Sequence, residues 1–168
     1  MTTQPTIRVA RPPEYSAIGE LTLLAYADVL AEGEDDEYRS VLLDAPGRAA
    51  DAELLVAVDD TQALLGTVTV GRPGTPLAEI AHHQEVEVRM LAVAPDFERR
   101  GIGRSMMQHV FDMASAEGFE GLVLSVISTN TAAASFYRSL GYTRSPDRDW
   151  NPMPDKDLLL EVFVRSIR

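Results

Sequence analysis

The sequence predicts an α+β fold in which helices cover both faces of a mixed sheet. The middle of the chain has the order strand, glycine-rich turn, helix, strand, which places two strands parallel with a right-handed crossover between them. The strands on either side of this unit are short and fit hairpin connections, which make antiparallel pairs. The length of 168 residues fits one domain, and 45% hydrophobic with 24% charged residues is ordinary for a globular chain.

The first part of the chain contains three short strands and two helices. An extended segment ends before Pro12-Pro13, because proline cannot continue a β ladder. Apolar residues at helical spacing then predict a long helix, and a weaker apolar stripe predicts a second one. Two β-rich runs around a polar turn predict a hairpin. These elements are a strand at 7–10, helices at 14–31 and 34–44, and hairpin strands at 54–58 and 64–70.

The second part of the chain contains the parallel unit. Strict alternation over 86–93 predicts a strand whose one face carries Val86, Val88, Met90 and Ala92. A helix follows Gly101 and ends near Gly118, which suits the position after a helix. The nearly all-apolar run 122–127 predicts a strand covered on both faces. A short helix at 130–140 and a final strand at 158–164 complete the chain.

Composition excludes several functional classes. Fifteen Lys and Arg stand against 26 Asp and Glu, so the formal charge is −11, which disfavours binding to nucleic acid or to anionic membranes. The absence of cysteine excludes disulfides, thiolate metal sites and a cysteine nucleophile. No apolar run is long enough to cross a bilayer, and the first residues lack the apolar core of a signal peptide. We therefore expect a cytoplasmic protein.

A glycine- and arginine-rich segment lies between the 86–93 strand and its helix. The N-terminus of a helix offers unpaired N–H groups and the positive end of a dipole, which bind anions. Gly101 and Gly103 lack Cβ atoms, so the backbone can approach a phosphate closely. Arg99, Arg100 and Arg104 add cationic donors in a chain that is otherwise acidic. The segment predicts a phosphate site, although a tight turn with solvated arginines also fits; it is neither a dinucleotide fingerprint nor a P-loop.

A second motif opens and follows the predicted helix at 130–140. Ala133 and Tyr137 are four residues apart and therefore share one helix face, and Asn130 stands at the helix start. The Tyr137 phenol, with a reference pKa of about 10, suits proton donation to a leaving thiolate. By itself this pattern also fits a core helix.

The two motifs together resemble those of the GNAT superfamily, the acetyl-CoA-dependent N-acetyltransferases. The family pattern L-x-V-x-P followed by Q/R-x-x-G-x-G/A is matched by residues 91–95 and 98–103. Its later pattern N-x-x-A-x-x-x-Y-x-x-x-G-F/Y is matched from Asn130 to Tyr142. One position departs from the pattern: Glu98 stands where Gln or Arg is usual, and it brings a negative charge towards the expected phosphate site.

The resemblance implies a three-layer αβα sandwich over residues 1–168, with a mixed, mostly antiparallel sheet and a splayed central parallel pair. It implies acetyl-CoA as co-substrate, no metal, and direct transfer to a primary amine of a small molecule or peptide. The backbone of Leu91, Ala92 and Val93 would pair with the pantetheine arm. Asn130 and Ala133 would contact the same arm, and Tyr137 would protonate the thiolate. The amides expected at the pyrophosphate are those of Arg99, Arg100, Gly101, Ile102, Gly103 and Arg104.

The amine must lose a proton before it attacks, so a general base is needed. Glu87 is the first candidate because it lies on the strand that leads into the site. Glu85 has the same side-chain parity and is the second candidate, and Arg89 shares that parity and could pair with either. Both carboxylates also fit a solvated strand face.

The acceptor side has weaker signals. The segment 28–37 holds six acids and no base, which fits either an acidic rim that attracts an amine or a solvated connection. We expect His82 and His83 on the surface, and Trp150 either over the site or as a loop anchor. Two other functions stay open: a non-catalytic acyl-CoA-binding or regulatory module, and a nucleotide-phosphate binder. The protein would be a monomer or a homodimer.

Overall fold

A computed structural model describes residues 4–27 and 36–168 of the chain. It contains one mixed sheet and five α-helices within these residues. The strands are β1 (Thr6–Val9), β2 (Glu53–Val58), β3 (Leu64–Gly71), β4 (Glu85–Val93), β5 (Gly121–Ile127), β6 (Thr143–Arg144) and β7 (Leu160–Ser166). The helices are α1 (Tyr15–Ala25), α2 (Asp36–Leu43), α3 (Ala45–Asp51), α4 (Ile102–Ala116) and α5 (Thr131–Ser139).

The strand order is β1-β2-β3-β4-β5-β7-β6. β4 and β5 are parallel, and the other neighbouring strands of this sheet pair antiparallel. α4 connects the parallel pair, as the right-handed crossover rule requires of such a unit. The predicted α+β fold with a mixed sheet and one central parallel pair is confirmed.

Two hydrophobic cores lie on opposite faces of the sheet. Side chains of β2 alternate between them: Leu55 packs in the core under α4 and α5, and Leu54 and Val56 pack in the other. The first core includes Met106 of α4, and the second includes Ile18 of α1. Because both faces are covered by helices, the three-layer arrangement is confirmed.

Four local details differ from the sequence predictions. α1 ends at Ala25, and residues 28–31 of the predicted helix lie outside the described residues. α3 was not predicted, because its sequence carries proline and glycine; Asp44 caps it by accepting a hydrogen bond of 2.9 Å from the Gly47 amide. The two-residue strand β6 was also not predicted. β7 begins two residues later than predicted, at Leu160, which pairs with Ile127 of β5 and, across a loop, with Trp150.

The predicted strict alternation along β4 is wrong. Thr67 pairs with Ala92 but Thr69 pairs with Arg89, so β4 has one more residue than β3 between these pairs. This is a β-bulge, and Met90 takes the left-handed conformation there, with φ of 52°. The extra residue exchanges the faces, so Leu91 and Val93, rather than Met90 and Ala92, pack in the same core as Val86 and Val88.

Candidate active site

A cavity opens where the two parallel strands separate. β4 and β5 pair from Glu85 with Gly121 as far as Val88 with Leu124, and this pairing extends no further. The cavity beyond has a volume of about 420 Å³ and lies next to both strands. Strand ends that part in this way leave backbone N–H and C=O groups available to a ligand. The predicted splay is therefore present, at the predicted pair of strands.

The bulge lies on one wall of this cavity. Met90 and Leu91 line the cavity, and the Tyr26 hydroxyl of α1's C-cap donates a 3.4 Å hydrogen bond to the Leu91 carbonyl. Ala92 is 2% exposed and still pairs with Thr67 of β3. Leu91 is thus the residue of the predicted 91–93 stretch that reaches the cavity, and Ala92 and Val93 continue the strand towards the glycine-rich turn.

The turn between β4 and α4 presents a run of unused amides. Among the described residues, the N–H groups of residues 99–104 donate to no backbone carbonyl. The next N–H, that of Ser105, donates to the Gly101 carbonyl at 2.9 Å. Arg99 and Gly101 both take left-handed conformations, with φ of 62° and 80°. Consecutive N–H groups in such turns form concave anion-binding sites, and here they coincide with a helix N-terminus.

The two glycines of the turn have different roles in the structure. Gly101 precedes α4 in the left-handed conformation, and a Cβ there would meet nothing within 4 Å, so the backbone conformation is what requires glycine. Gly103 lies inside the first turn of α4, where a Cβ would be 3.3 Å from Cζ of Phe136. Its missing side chain therefore allows α4 and α5 to pack closely, a role that the sequence did not suggest.

The arginines of the turn are exposed to solvent. Arg100 lies over the Phe97 ring, with Cζ 5.2 Å from the ring centroid, and Arg104 donates a 3.3 Å hydrogen bond to the Ser139 hydroxyl of α5. Glu98 is exposed as well, so its charge is screened by water. The turn keeps its arginines near the free amides without burying any of them.

α5 presents the second motif to the cavity. Asn130 caps the helix, because its Oδ1 accepts a 3.1 Å hydrogen bond from the Ala133 amide. Asn130, Ala133 and Tyr137 all line the cavity, so the expectation that Ala133 and Tyr137 share a face is confirmed. Burial, together with the neighbouring Tyr142, raises the pKa of Tyr137 well above its ordinary value. Tyr137 is therefore protonated at neutral pH, as a proton donor must be.

Glu87 of β4 also lines the cavity and is 2% exposed. Its Oε2 accepts hydrogen bonds from the Ile80 and Ala81 amides, at 2.9 and 3.2 Å. Its Oε1 is 3.7 Å from Nη1 of Arg89. Burial raises the pKa of Glu87 above its ordinary value, although these amides and Arg89 oppose the shift. A carboxylate with a raised pKa, with one oxygen towards Arg89, suits a general base.

Glu85, the second candidate base, is held elsewhere. Arg148 donates to both of its oxygens, at 2.8 and 2.9 Å, and the His82 amide donates to Oε1 at 2.9 Å. Burial raises the pKa of Glu85, but the bonds from Arg148 and His82 outweigh burial and leave it below its ordinary value. Glu85 is not among the residues that line the cavity, so the geometry favours Glu87.

Comparisons with known proteins agree with this geometry. The sequence model of the acetyltransferase (GNAT) family matches residues 17–142, three quarters of the chain. The chain belongs to the GNAT acetyltransferase family.

Two curated relatives and one solved structure show how the similarity is distributed. A ribosomal protein bS18-alanine N-acetyltransferase of Salmonella typhimurium is 41% identical over 58 residues, which are 34% of this chain and 39% of that protein. The chain thus spans less than half the length of that relative. A streptothricin acetyltransferase of Streptomyces lavendulae is 29% identical over 80% of this chain and 79% of that protein. The PaiA N-acetyltransferase of Thermoplasma acidophilum, solved with coenzyme A, has a TM-score of 0.76 at 14% identity, over 98% and 99% of the two chains.

Two tyrosines that line the cavity of this GNAT protein were not singled out from the sequence, whereas Trp150 was. Tyr26, the C-cap of α1, and Tyr38 of α2 bring two phenols to the cavity. Trp150 lines the cavity and is also a loop anchor, because its indole N–H donates a 3.0 Å hydrogen bond to the Ser125 hydroxyl. Both readings of Trp150 are therefore correct. The tyrosines gave no signal, because a tyrosine in an amphipathic helix is typical of a core position.

Two remaining features of the GNAT chain concern charge and metals. Of the acidic segment 28–37, residues 28–35 lie outside the described residues, and the side chain of Glu37 is exposed. His82 and His83 are exposed, as predicted. In the described part of the chain, no cluster of three metal-ligating side chains occurs, and no helix is long and apolar enough to cross a membrane.

Proposed function

We propose that the protein transfers the acetyl group of acetyl-CoA to a primary amine of a small molecule or peptide, by direct attack in a ternary complex. The observation that carries this proposal is the cavity between the parted strands, one of whose walls, β4, leads directly into the turn of consecutive unaccepted amides. Residues 1–168 would act as one acetyltransferase domain, and the cytoplasmic location and the choice of monomer or homodimer stay predictions from the sequence.

The residues present fit a thioester carrier with a diphosphate. The backbone N–H groups of residues 99–104 would bind the diphosphate, since they donate no hydrogen bond to a backbone carbonyl of the described residues. The Leu91 carbonyl at the bulge would accept from the pantetheine arm once the Tyr26 hydroxyl moves aside. Asn130 and Ala133 line the same cavity and would contact this arm. The thioester supplies an activated acetyl group and a thiolate leaving group.

The proton transfers are assigned to two titratable groups that line the cavity, Glu87 and Tyr137. Glu87 would accept a proton from the ammonium form of the acceptor, which its raised pKa favours. Tyr137 would donate its proton to the departing thiolate, because the raised pKa of its phenol keeps it protonated at neutral pH. A backbone N–H beside Leu91, at the bulge, would polarise the thioester carbonyl.

A small-molecule amine is the acceptor that the comparisons favour. The streptothricin acetyltransferase aligns over 80% of this chain, whereas the bS18-alanine N-acetyltransferase aligns over 34%. The acceptor side of the cavity is also walled by Trp150 and by the loop that follows it, which leaves room for a compact amine. A peptide N-terminus is the second acceptor class.

A non-catalytic acyl-CoA-binding module is the alternative function. Two observations favour it: Glu98 stands in the turn that would hold the diphosphate, and Oε2 of Glu87 already accepts two backbone hydrogen bonds. Such a module would bind acetyl-CoA without releasing the free thiol.

The experiment follows thiol release with acetyl-CoA and a panel of small amines and peptides, for the wild type, Tyr137→Phe and Tyr142→Phe. We expect turnover in the wild type and a loss of about a hundredfold in Tyr137→Phe, with acetyl-CoA affinity by calorimetry unchanged. Tyr142→Phe is the matched control, because Tyr142 is 2% exposed and its hydroxyl has no hydrogen-bond partner among the described residues. If all three proteins bound acetyl-CoA and none of them released the thiol, the binding module would be supported instead.

A further inference from the structure

The cavity holds a primary amine of the protein itself. Among the 15 Lys and Arg residues of the chain, Lys156 is the single lysine. It lines the same cavity as Glu87 and Tyr137, and it is half-buried. Arginine is a poor nucleophile because its guanidinium stays protonated, whereas a lysine amine can lose its proton and attack a carbonyl. The one nucleophilic amine among the side chains therefore lies where an acceptor amine is needed.

The backbone fixes the position of Lys156 at the cavity. Trp150 and Leu160 exchange two backbone hydrogen bonds, of 3.1 and 2.8 Å, which close the loop between them. Within this loop the side-chain nitrogen Nδ2 of Asn151 donates a 2.8 Å hydrogen bond to the Lys156 backbone carbonyl. The Lys156 backbone N–H donates to the Met153 carbonyl at 2.9 Å. With the Trp150 indole bonded to Ser125 of β5, the loop is tied directly to the parted sheet.

The charges around Lys156 favour an ammonium in this cavity. Glu79, Glu87 and Asp157 line it, and Arg89 is the other cation that does so among the described residues. Arg89 pairs with Glu79 at 3.0 Å and lies 3.7 Å from Glu87. Opposite charge holds a cation in place, and Glu87, with its raised pKa, is the group able to accept a proton from it.

We propose that Lys156 is a self-acetylation site of the protein, with acetyl-CoA as the acetyl donor. This inference rests on the proposed function. Glu87 removes one proton from the Lys156 ammonium and later releases it to solvent. The Lys156 nitrogen then forms a C–N bond to the acetyl carbonyl carbon while the thioester C–S bond breaks. Tyr137 protonates the thiolate and regains a proton from the amine nitrogen, so the products are an uncharged amide, the free thiol and one released proton.

The modification removes the positive charge of Lys156 and lengthens its side chain. Both changes act on the acceptor side of the cavity, because Lys156 lies beside Asp157 and Leu158 there. An acetylated protein is therefore expected to bind a cationic acceptor differently from the unmodified protein.

The test measures the mass of the intact protein after incubation with acetyl-CoA alone, followed by peptide mapping. We expect the mass of one acetyl group to be gained, located on Lys156, at a rate per molecule that does not depend on protein concentration. Lys156→Arg is expected to gain none on a side chain. The matched control is Lys156→Arg combined with Arg168→Lys, which moves the lysine to an exposed position at the chain end; its acetylation is expected to be at least about tenfold slower, since proximity is lost.

Three results would overturn the proposal: an unmodified Lys156, acetylation of Lys156 no faster than in the relocated-lysine variant or in the urea-unfolded chain, or a rate per molecule that rises with protein concentration. The amine panel is assayed on the same preparation, so that the two proposals fail separately. Thiol release with the panel beside an unmodified Lys156 overturns the self-acetylation alone. If the preparation shows no thiol release and Lys156 is unmodified, both proposals are overturned.

Discussion

Glu87 combines two requirements that oppose each other. Its Oε2 holds the Ile80 and Ala81 amides and so fixes the segment before β4, while its burial raises the pKa of the carboxyl. A raised pKa in a folded carboxyl means that the protonated form is the one that folding favours. The protein is therefore less stable with Glu87 ionised, which is the form that a general base needs.

We expect Glu87→Gln to lower kcat by about a hundredfold while raising the stability of the protein at pH 8. The pKa of Glu87 is higher in the folded than in the unfolded protein. The stability that its protonated carboxyl contributes is therefore fully present below the unfolded pKa and is lost as the pH rises through the folded pKa. Glutamine cannot ionise and keeps an oxygen for the two amides. Urea unfolding at pH 8 and at pH 4 measures the difference, which is expected to vanish at the lower pH.

Glu85→Gln is the matched control for this prediction. Its pKa is below the ordinary value, since the hydrogen bonds from Arg148 and His82 outweigh the effect of burial. A carboxyl of this kind stabilises the folded state above its unfolded pKa, so its replacement is expected to lower stability at pH 8. If both variants moved stability in the same direction at pH 8, the role assigned to Glu87 would be wrong.

At the level of elements, Arg48 of α3 holds in place α2, a helix that lines the cavity. Its guanidinium is buried, with the residue 5% exposed, and donates to the Val41 and Leu42 carbonyls at 2.8 and 3.0 Å. These carbonyls belong to the last turn of α2, where a cation also favours the helix dipole. Since α2 carries Tyr38 and Val41 into the cavity wall, Arg48 positions that wall without lining the cavity.

Replacement of Arg48 by Met is expected to lower the free energy of unfolding by about 2 kcal/mol, because buried carbonyls lose their donor. It should also raise the KM for the acceptor amine severalfold and leave the KM for acetyl-CoA unchanged, since α2 lies on the acceptor side. Steady-state kinetics and urea unfolding measure the two effects. Arg39→Met is the control, because Arg39 is an exposed residue of α2; equal effects of both substitutions would contradict this role.

The elements with long apolar patterns could be predicted, and those fixed by tertiary contacts could not. α4 and β5 follow from periodicity and from an unbroken apolar run. α3 depends on the buried Arg48 and on the Asp44 cap, which override its weak helix propensity. The bulge is at Met90 and not at a glycine. The sequence therefore contains no local indication that the side chains of β4 change faces there.

The same limit applies to the candidate site. The motif residues on the turn and on α5 were identified because their spacing is distinctive, and the structure brings Asn130, Ala133 and Tyr137 to one cavity. The rest of the cavity wall comes from separate elements and includes Tyr26, Tyr38 and Trp150. Their proximity depends on how α1, α2 and the 151–159 loop fold over the sheet. No pattern in the sequence joins those three residues.

For the whole molecule, the main electrostatic fact is that a formal charge of −11 surrounds a locally basic turn. The exposed arginines of that turn stand beside the free amides. The cavity is lined instead by Glu79, Glu87 and Asp157. Under the proposed function, the surrounding negative field would attract a cationic acceptor, and the basic turn would attract an anionic carrier.

We expect kcat/KM for a cationic acceptor to fall severalfold between low and physiological ionic strength, because the Debye length shortens from about 30 Å at 0.01 M to about 8 Å at 0.15 M. An acceptor amine that is uncharged at the assay pH should show little dependence on salt. Initial rates at saturating acetyl-CoA measure both. Identical salt dependence for the two acceptors would show that the net charge has no part in acceptor binding.

The bulge at Met90 divides β4 into two stretches whose alternate side chains have different surroundings. Before it, alternate side chains such as Glu87 and Arg89 line the cavity; after it, Leu91 and Val93 pack in the core under α4 and α5. Under the proposed function, substitutions in the first stretch are therefore expected to alter which amine is accepted, while the packing after the bulge is kept. Deletion of Met90 would remove the bulge but leave Leu91 and Val93 on the same face as Val86 and Val88, so the change would fall on the wall of the cavity and not on the packing against α4.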